Sequence, residues 1–305
     1  MIQYGQGGDE MSFRLVTDGT CDLSHAVALE RDIPVIPFKV AVGNEDFRPY
    51  NGDPGLKNTF SIGEFYARMR AQENTHTSQI NPEDYIRYFT PMLEAGEDVL
   101  YLAFSSGLSG SCQNAMLAAR ELEEKYPGRR LEVVDTLCAS LGEGLLVWLV
   151  DDQRKSGASL DQARDYALAL RKRIVHAFTV DDLNFLRRGG RLSGAAAVLG
   201  TMLSIKPILD VNAEGKLAVF DKVQGRKRAL KALVDRMEAC TRNPGAYPVF
   251  ITYADCREDA LLLADMVRER FHIEIAHMND MGPIIGGHAG PGTLALVFVS
   301  DEEKK

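Results

Sequence analysis

Cysteine is sparse in this sequence: Cys21, Cys112, Cys138, Cys240 and Cys256 are the five among 305 residues. Their number is odd, their spacing is wide and no Cys-x-x-Cys occurs, which argues against a disulfide scaffold and against a zinc knuckle. Long apolar runs are missing too. A helix that crosses a bilayer needs ~20 consecutive apolar residues. The longest candidate, residues 192–203, is shorter and is interrupted by Ser193 and Gly194. The first ten residues hold three glycines and two acids but no apolar stretch. Residues 1–11 therefore read as a flexible extension and not as a secretory signal. The six histidines form no His-x-x-x-His pair and no acid cluster joins them, so no metal site is expected. No Gly-x-Gly-x-x-Gly follows the first apolar run, and no Gly-Lys-Ser or Gly-Lys-Thr ends a glycine-rich turn. That argues against a dinucleotide fingerprint and a Walker loop. Positive charge is not in excess: 35 basic residues against 43 acidic ones give −8. Such a chain is a poor default partner for nucleic acid. The basic cluster Arg226-Lys227-Arg228 reads as a solvated helix start.

What is present is ordinary for a soluble globular protein: 45% apolar and 26% charged residues. A cytoplasmic location is expected. The length exceeds what one core usually needs, so two domains are expected. In the first half, apolar runs at residues 13–17, 35–42, 99–104 and 131–134 read as strands. Helical periods follow, at Ala115, Ala119 and Leu122 and at Leu160, Ala163, Ala167, Leu170 and Ile174. This alternation predicts an α/β fold with an N-terminal parallel-sheet, Rossmann-like domain over residues 12–172. In the second half, residues 205–211, 216–222, 248–253, 273–278 and 293–299 read as strands. A hairpin turn at Asn212-Ala-Glu-Gly215 joins the first two. Helices carry Leu230, Leu233 and Met237, then Ala260, Ala264, Val267 and Phe271. Hairpins mixed with helices predict a C-terminal α+β, mixed-sheet domain over residues 173–305, with a ligand between and within the two domains. Residues 43–62, rich in Gly, Asn, Asp and Pro, read as a surface excursion.

Five stretches could carry chemistry. Thr17-Asp18-Gly19-Thr20-Cys21-Asp22-Leu23-Ser24 follows the first strand, where open α/β sheets place ligands; a helix cap by Asp22 or Ser24 explains it equally. Thr75-His76-Thr77-Ser78-Gln79 precedes Asn81-Pro82, a helix-start signature that accounts for Asn81 onward but not for Thr77 and Ser78. Ser105-Ser106-Gly107-Leu108-Ser109-Gly110-Ser111 lies between a strand and an alanine-rich helix, a place whose free amides favour an anion. The Gly-x-Ser-x-Gly pattern of a nucleophile elbow fails there, because Ser111 stands two residues after Ser109. In Arg187-Arg188-Gly189-Gly190-Arg191, a helix C-cap at Gly189 accounts for the first two arginines and leaves Arg191 free for an anion. Residues 195–203 after it are almost wholly apolar and read as a buried helix or a cavity wall. Four glycines crowd His288 in Gly286-Gly287-His288-Ala289-Gly290-Pro291-Gly292, which suggests a ligand approaching the backbone closely. These residues allow a binder of an anionic group at a two-domain cleft. They also allow a serine hydrolase or esterase that pairs Ser109 with His288 and an acid such as Asp18 or Asp135.

Taken in order, these motifs resemble the DegV family of bacterial lipid-binding proteins, over nearly the whole chain from Phe13 to Val299. Val134-Asp135-Thr136, Ala139-Ser140-Leu141-Gly142 and Ile205-Lys206-Pro207-Ile208 add to the likeness. The resemblance implies two α/β domains and a non-enzymatic carrier with no cofactor beyond its bound long-chain fatty acid. It implies that Thr77 and Ser109 hold the carboxylate, with Ser78, Gly110, Arg191 and His288 beside it. The acyl chain would fill a tunnel, with residues 195–203 and Ile205, Ile208 and Leu209 as candidate lining. It further implies a separate fatty-acid kinase as partner, which makes the acyl phosphate for phospholipid synthesis, and leaves room for transient membrane contact. Two positions depart from the family pattern. Ile80 stands where many relatives carry proline, and Gly19 where many carry serine.

Overall fold

The computed structural model describes residues 13–48, 61–192 and 205–304. Strand β1 (Arg14–Asp18) leads to helix α1 (His25–Glu30), which Ser24 caps by accepting from the Val27 amide. The run expected over residues 35–42 divides at Pro37 into β2 (Val35–Ile36) and β3 (Lys39–Val42), which join different sheets. Proline has no amide to continue a ladder. Next come β4 (Glu45–Phe47), α2 (Ile62–Arg70), β5 (Thr75–Ser78) and α3 (Pro82–Glu94). Asn81 caps α3 by accepting from the Asp84 amide, and Pro82 occupies its first turn as expected. Then follow β6 (Val99–Ala103), α4 (Ser111–Lys125), β7 (Leu131–Asp135), α5 (Leu141–Lys155) and α6 (Leu160–Leu170). The second half contains β8 (Ile174–Thr179), α7 (Asn184–Arg188), β9 (Ile205–Val211), β10 (Leu217–Gln224) and α8 (Arg226–Cys240). It closes with β11 (Phe250–Tyr253), α9 (Arg257–Phe271), β12 (His277–Asp280), α10 (Pro283–Ala289) and β13 (Leu294–Val299).

The expected mixed α/β architecture is present. A parallel four-stranded sheet runs β2-β1-β6-β7, and a mixed six-stranded sheet runs β10-β9-β8-β13-β11-β12. A third, antiparallel sheet runs β4-β3-β5, and its strand β4 lies in the region read as a surface excursion. Other expectations need correction. Helix α6 ends at Leu170, and Ile174 opens β8 instead of extending the helix. All six residues of β8 are buried. A strand covered on both faces loses the alternation that marks strands in a sequence. The strand read at residues 273–278 begins instead at His277. Helix α5 escaped the periodicity reading because it is buried nearly all round, from Leu141 to Asp151. It packs on β8, β11 and β13 and on α6, so it is a layer shared by both halves. Among the described residues no helix is long and apolar enough to cross a membrane.

The polar residues after β1 turn inward. Thr17, Asp18, Thr20 and Asp22 are fully buried. Thr20 Oγ1 lies 2.6 Å from Asp18 Oδ1 and 2.8 Å from Glu143 Oε2 on α5. A hydroxyl has one proton to donate, so both carboxyls cannot accept from it. Asp18 also accepts from the Thr20 and Phe104 amides and from the Tyr101 hydroxyl. Glu143 meets only the Thr17 and Thr20 hydroxyls. The network closes when Glu143 is protonated and donates to Thr20, which donates to Asp18. Burial, and then the nearby Asp18, push the Glu143 carboxyl well above its ordinary range.

Asp22 joins three distant parts of the chain. Its carboxylate accepts from the Ser140 hydroxyl, before α5, and from the Gly282 amide at 2.9 Å, before α10. Its backbone carbonyl accepts from Asn279 Nδ2 at 2.8 Å. Burial raises the Asp22 carboxyl to about 7, against the pull of those two donors. A carboxyl whose folded pKa is raised stabilises the fold most below its unfolded pKa, and that contribution falls as pH rises towards the folded value. Asp22→Asn removes the titration. The difference in Tm between variant and wild type should therefore move in favour of Asn as pH rises from about 5 to about 8, measured by thermal denaturation.

Candidate functional site

Strand β5 pairs with β3 and sets Thr77 opposite Val40. Its side chains alternate, so Thr75 and Thr77 face inward while His76 and Ser78 face out. Helix α10 packs on β5, α2, β3 and α7. Glycines permit that closeness: a Cβ on Gly286 would strike the Tyr66 ring, and one on Gly287 would press on Thr75. Tyr66 OH donates to the Met281 carbonyl at 2.6 Å and fixes the start of α10. At the other end of α10, His288 Nε2 lies 2.8 Å from Thr77 Oγ1. Burial, helped by Arg191 and His76, lowers His288 to about 4, so the ring is neutral at physiological pH.

The loop from β6 to α4 supplies Ser109. Its Oγ lies 3.0 Å from Ser111 Oγ and accepts from the Ser111 amide at 3.3 Å. Gly110, the N-cap of α4, offers no side chain to the free helix amides. The Ser111 hydroxyl accepts from the Ile80 amide, and Asn114 Nδ2 donates to the Ile80 carbonyl, which ties the exit of β5 to α4. Arg191 follows α7 and reaches across to this loop, its Nε donating to the Leu108 carbonyl at 3.2 Å. The β9–β10 hairpin closes on the same loop. Ser105 Oγ donates to the Gly215 carbonyl at 2.7 Å, and a Cβ on Gly107 would stand 2.6 Å from the Glu214 carbonyl.

Thr77, Ser78, Ser109, Arg191 and His288 thus line one cavity, with about 860 Å³ of empty space, part of it open to solvent. The rest of its wall is mostly apolar, with Phe38, Phe104, Phe178, Ile284, Ala295 and Val297 prominent. Of the six site residues expected, Gly110 alone is not on the wall; it lies against the Gln79 side chain. The residues 195–203 expected to line a tunnel lie outside the described residues. Ile205, Ile208 and Leu209 are not on the described wall; the hairpin contributes Val211 and Leu217 instead. Ile208 packs into the separate core against α8 and α9. Ser140, His176 and Thr252 also line the cavity and were not expected. His176 and Thr252 stand on buried strands, and no sequence motif marks them.

The geometry does not assemble a hydrolase triad. His288 bonds Thr77 and not Ser109, whose hydroxyl is engaged with Ser111. Asp18 is held in the interior network, and Asp135 accepts from the Ser106 and Leu137 amides. No group of three His, Cys, Asp or Glu residues that could hold a metal ion occurs among the described residues.

Comparison with known proteins agrees in family and fold. The model of a family described as "Uncharacterised protein, DegV family" matches residues 12–301. A DegV domain-containing protein of Clostridium perfringens, CPE0026, is 37% identical over 292 residues, covering 96% of this chain and 99% of that protein. A fatty-acid-binding DegV family protein from Thermus thermophilus superposes with a TM-score of 0.83 at 32% identity, covering 95% of this chain and 100% of the other. Protein TM841 from Thermotoga maritima, whose structure reveals a fatty-acid-binding function, gives 0.80 at 26% identity, again over 95% and 100%. With a family model spanning both sheets and relatives matched from end to end, this chain belongs to the DegV family.

Proposed function

We propose that the chain binds a long-chain fatty acid and presents it to a separate fatty-acid kinase. In this reading residues 12–172 and 173–305 are the two domains that enclose the ligand. The observation that carries it is that Thr77, Ser109, Arg191 and His288 all line one cavity whose remaining wall is mostly apolar, with Thr77 bonded to His288 and Arg191 to the loop of Ser109. A carboxylate only accepts hydrogen bonds. The Thr77 and Ser109 hydroxyls, the free amides of α4 and the Arg191 guanidinium are donors of the right kind. A chain of ~14 methylenes gains about 11 kcal/mol on full burial at ~0.8 kcal/mol each, which offsets the cost of fixing the anion. Phosphorylation would need no base from this chain, since the carboxylate itself is the nucleophile. DegV relatives described as binding fatty acids support the ligand class.

Organic extraction of the purified protein should release a long-chain fatty acid detectable by mass spectrometry. Ser109→Ala removes a hydrogen bond to a charged group, worth roughly 1.5–3 kcal/mol, and should weaken palmitate binding about ten- to hundredfold in a titration. A protein that releases no fatty acid and takes up no labelled palmitate or oleate would overturn the proposal. In ligand-free protein a fluorophosphonate should leave Ser109 unlabelled, because no base activates its hydroxyl. Arg187 and Arg188 are exposed beside the cavity residue Leu186. Reversing both charges should leave fatty-acid affinity unchanged and depress acyl-phosphate formation by the kinase, read in a coupled phosphorylation assay.

A further inference from the structure

Ser140, His176, Thr252 and Thr293 also bring polar groups to the cavity wall, and of these Ser140 donates to Asp22 and Thr293 to the Ala289 carbonyl. Thr252 on β11 and His176 on β8 both line the cavity. They share one face of the six-stranded sheet. Thr252 is in register with Ala295, and His176 with Val297, two lining positions on the intervening strand β13. Side chains two residues apart on a strand point to the same side. Strand β13 starts just after His288 and α10, so the His176 level lies about 7 Å further along it than the Thr252 level, at ~3.4 Å per residue.

Thr252 is left unsatisfied by the described residues around it, and His176 is satisfied only in part. Thr252 is wholly buried, and its Oγ1 has no hydrogen-bond partner among the described residues. His176 is 4% exposed, and its Nε2 accepts from the Ala139 amide at 3.2 Å. With Nε2 accepting, the proton of the neutral ring sits on Nδ1. Among the described residues the one acceptor near Nδ1 is the Ile174 backbone carbonyl, which it meets only at poor hydrogen-bond geometry. The ring is seated against the first turn of α5, where a Cβ on Gly142 would overlap it. Buried polar groups are nearly always hydrogen-bonded. A bare hydrocarbon beside these two would leave a hydroxyl and an N–H unpaired, where a valine at position 252 would fill nearly the same shape with no polar atom.

We propose that the cavity takes an acyl chain that carries its own oxygen, a hydroxy or oxo long-chain carboxylic acid, with the chain oxygen meeting Thr252 and with His176 as a second donor deeper in the cavity. This rests on the fatty-acid reading above, which sets the carboxylate at the Thr77 and Ser109 end and so gives the oxygen a defined depth. A hydroxyl can donate to Thr252 or accept from it; a keto oxygen can accept from either residue.

The test is a competition titration of octadecanoic acid against hydroxy- and oxo-octadecanoic acids with the oxygen stepped along the chain. It uses wild type, Thr252→Val and Thr252→Ser. One oxygen position should bind about tenfold tighter than the parent acid in wild type. Thr252→Ser should keep that preference and Thr252→Val should lose it, while the affinity for octadecanoic acid holds or rises in both. Two results overturn the proposal: no oxygenated acid exceeds the parent, or the preference survives Thr252→Val, as it would if an ordered water satisfied the threonine. Failure of octadecanoic acid and every oxygenated acid to bind wild type is a separate result, which overturns the fatty-acid reading and this proposal with it.

Discussion

The carboxyl of Asp22 is a buried point at which the two halves of this molecule are held to each other. It is wholly buried and accepts from the hydroxyl before α5 and from the amide before α10. Ser140 is 118 residues away in sequence, and Gly282 is 260 away. Without this acceptor the Gly282 amide would be buried unpaired, at a cost of about 1–3 kcal/mol. The larger consequence is positional. Helix α10 starts at this contact and carries His288 in its last turn, so the place of the imidazole against Thr77 depends on how α10 is seated. Tyr66 fixes the same turn through the Met281 carbonyl. A short helix held at its start by two hydrogen bonds carries its last side chain with little freedom.

The cavity that results separates two kinds of wall. Hydroxyls, a guanidinium, an imidazole and the start of α4 gather where β5, α4, α7 and α10 meet. Aromatic and aliphatic side chains make up most of the rest. Burial and Arg191 keep His288 neutral, which avoids placing two cations side by side in a site largely out of water. The positive charge is left to Arg191. The Ser109 loop is held from outside by the β9–β10 hairpin, where Gly107 admits the Glu214 carbonyl. Elements of all three sheets therefore set the geometry of one small polar patch.

The stretch after β1 shows where residue patterns mislead. Thr17, Asp18 and Thr20 occupy the position at which open α/β sheets present ligands. They point inward instead, to Glu143 and Tyr101. A ligand loop and a buried network need the same hydroxyl and carboxyl groups, and composition alone does not say which way they face. Asp22 in the same stretch has the structural role described above, and the helix cap belongs to Ser24. At the other stretches the local reading was nearer. The Asn81 cap, the Gly189 cap and the hairpin turn at Asn212 to Gly215 follow from short-range rules and occur as read.

What the sequence determined by itself is what short-range physics controls: caps, turns, amphipathic helices and the strand-then-helix order that calls for α/β layering. It also marked Thr77, Ser78, Ser109, Arg191 and His288, because hydroxyls, an arginine and a histidine among glycines exceed what turns alone require. The tertiary structure decided what depends on burial from two sides. Strand β8 and helix α5 carry no clean period because neither has a solvent face. The split of residues 35–42 between two sheets, the inward turn of the Asp18 network, and the meeting of His176 and Thr252 with the cavity all depend on contacts between segments far apart in the chain. No local pattern encodes such contacts, because each is a property of two surfaces and the sequence lists them one at a time.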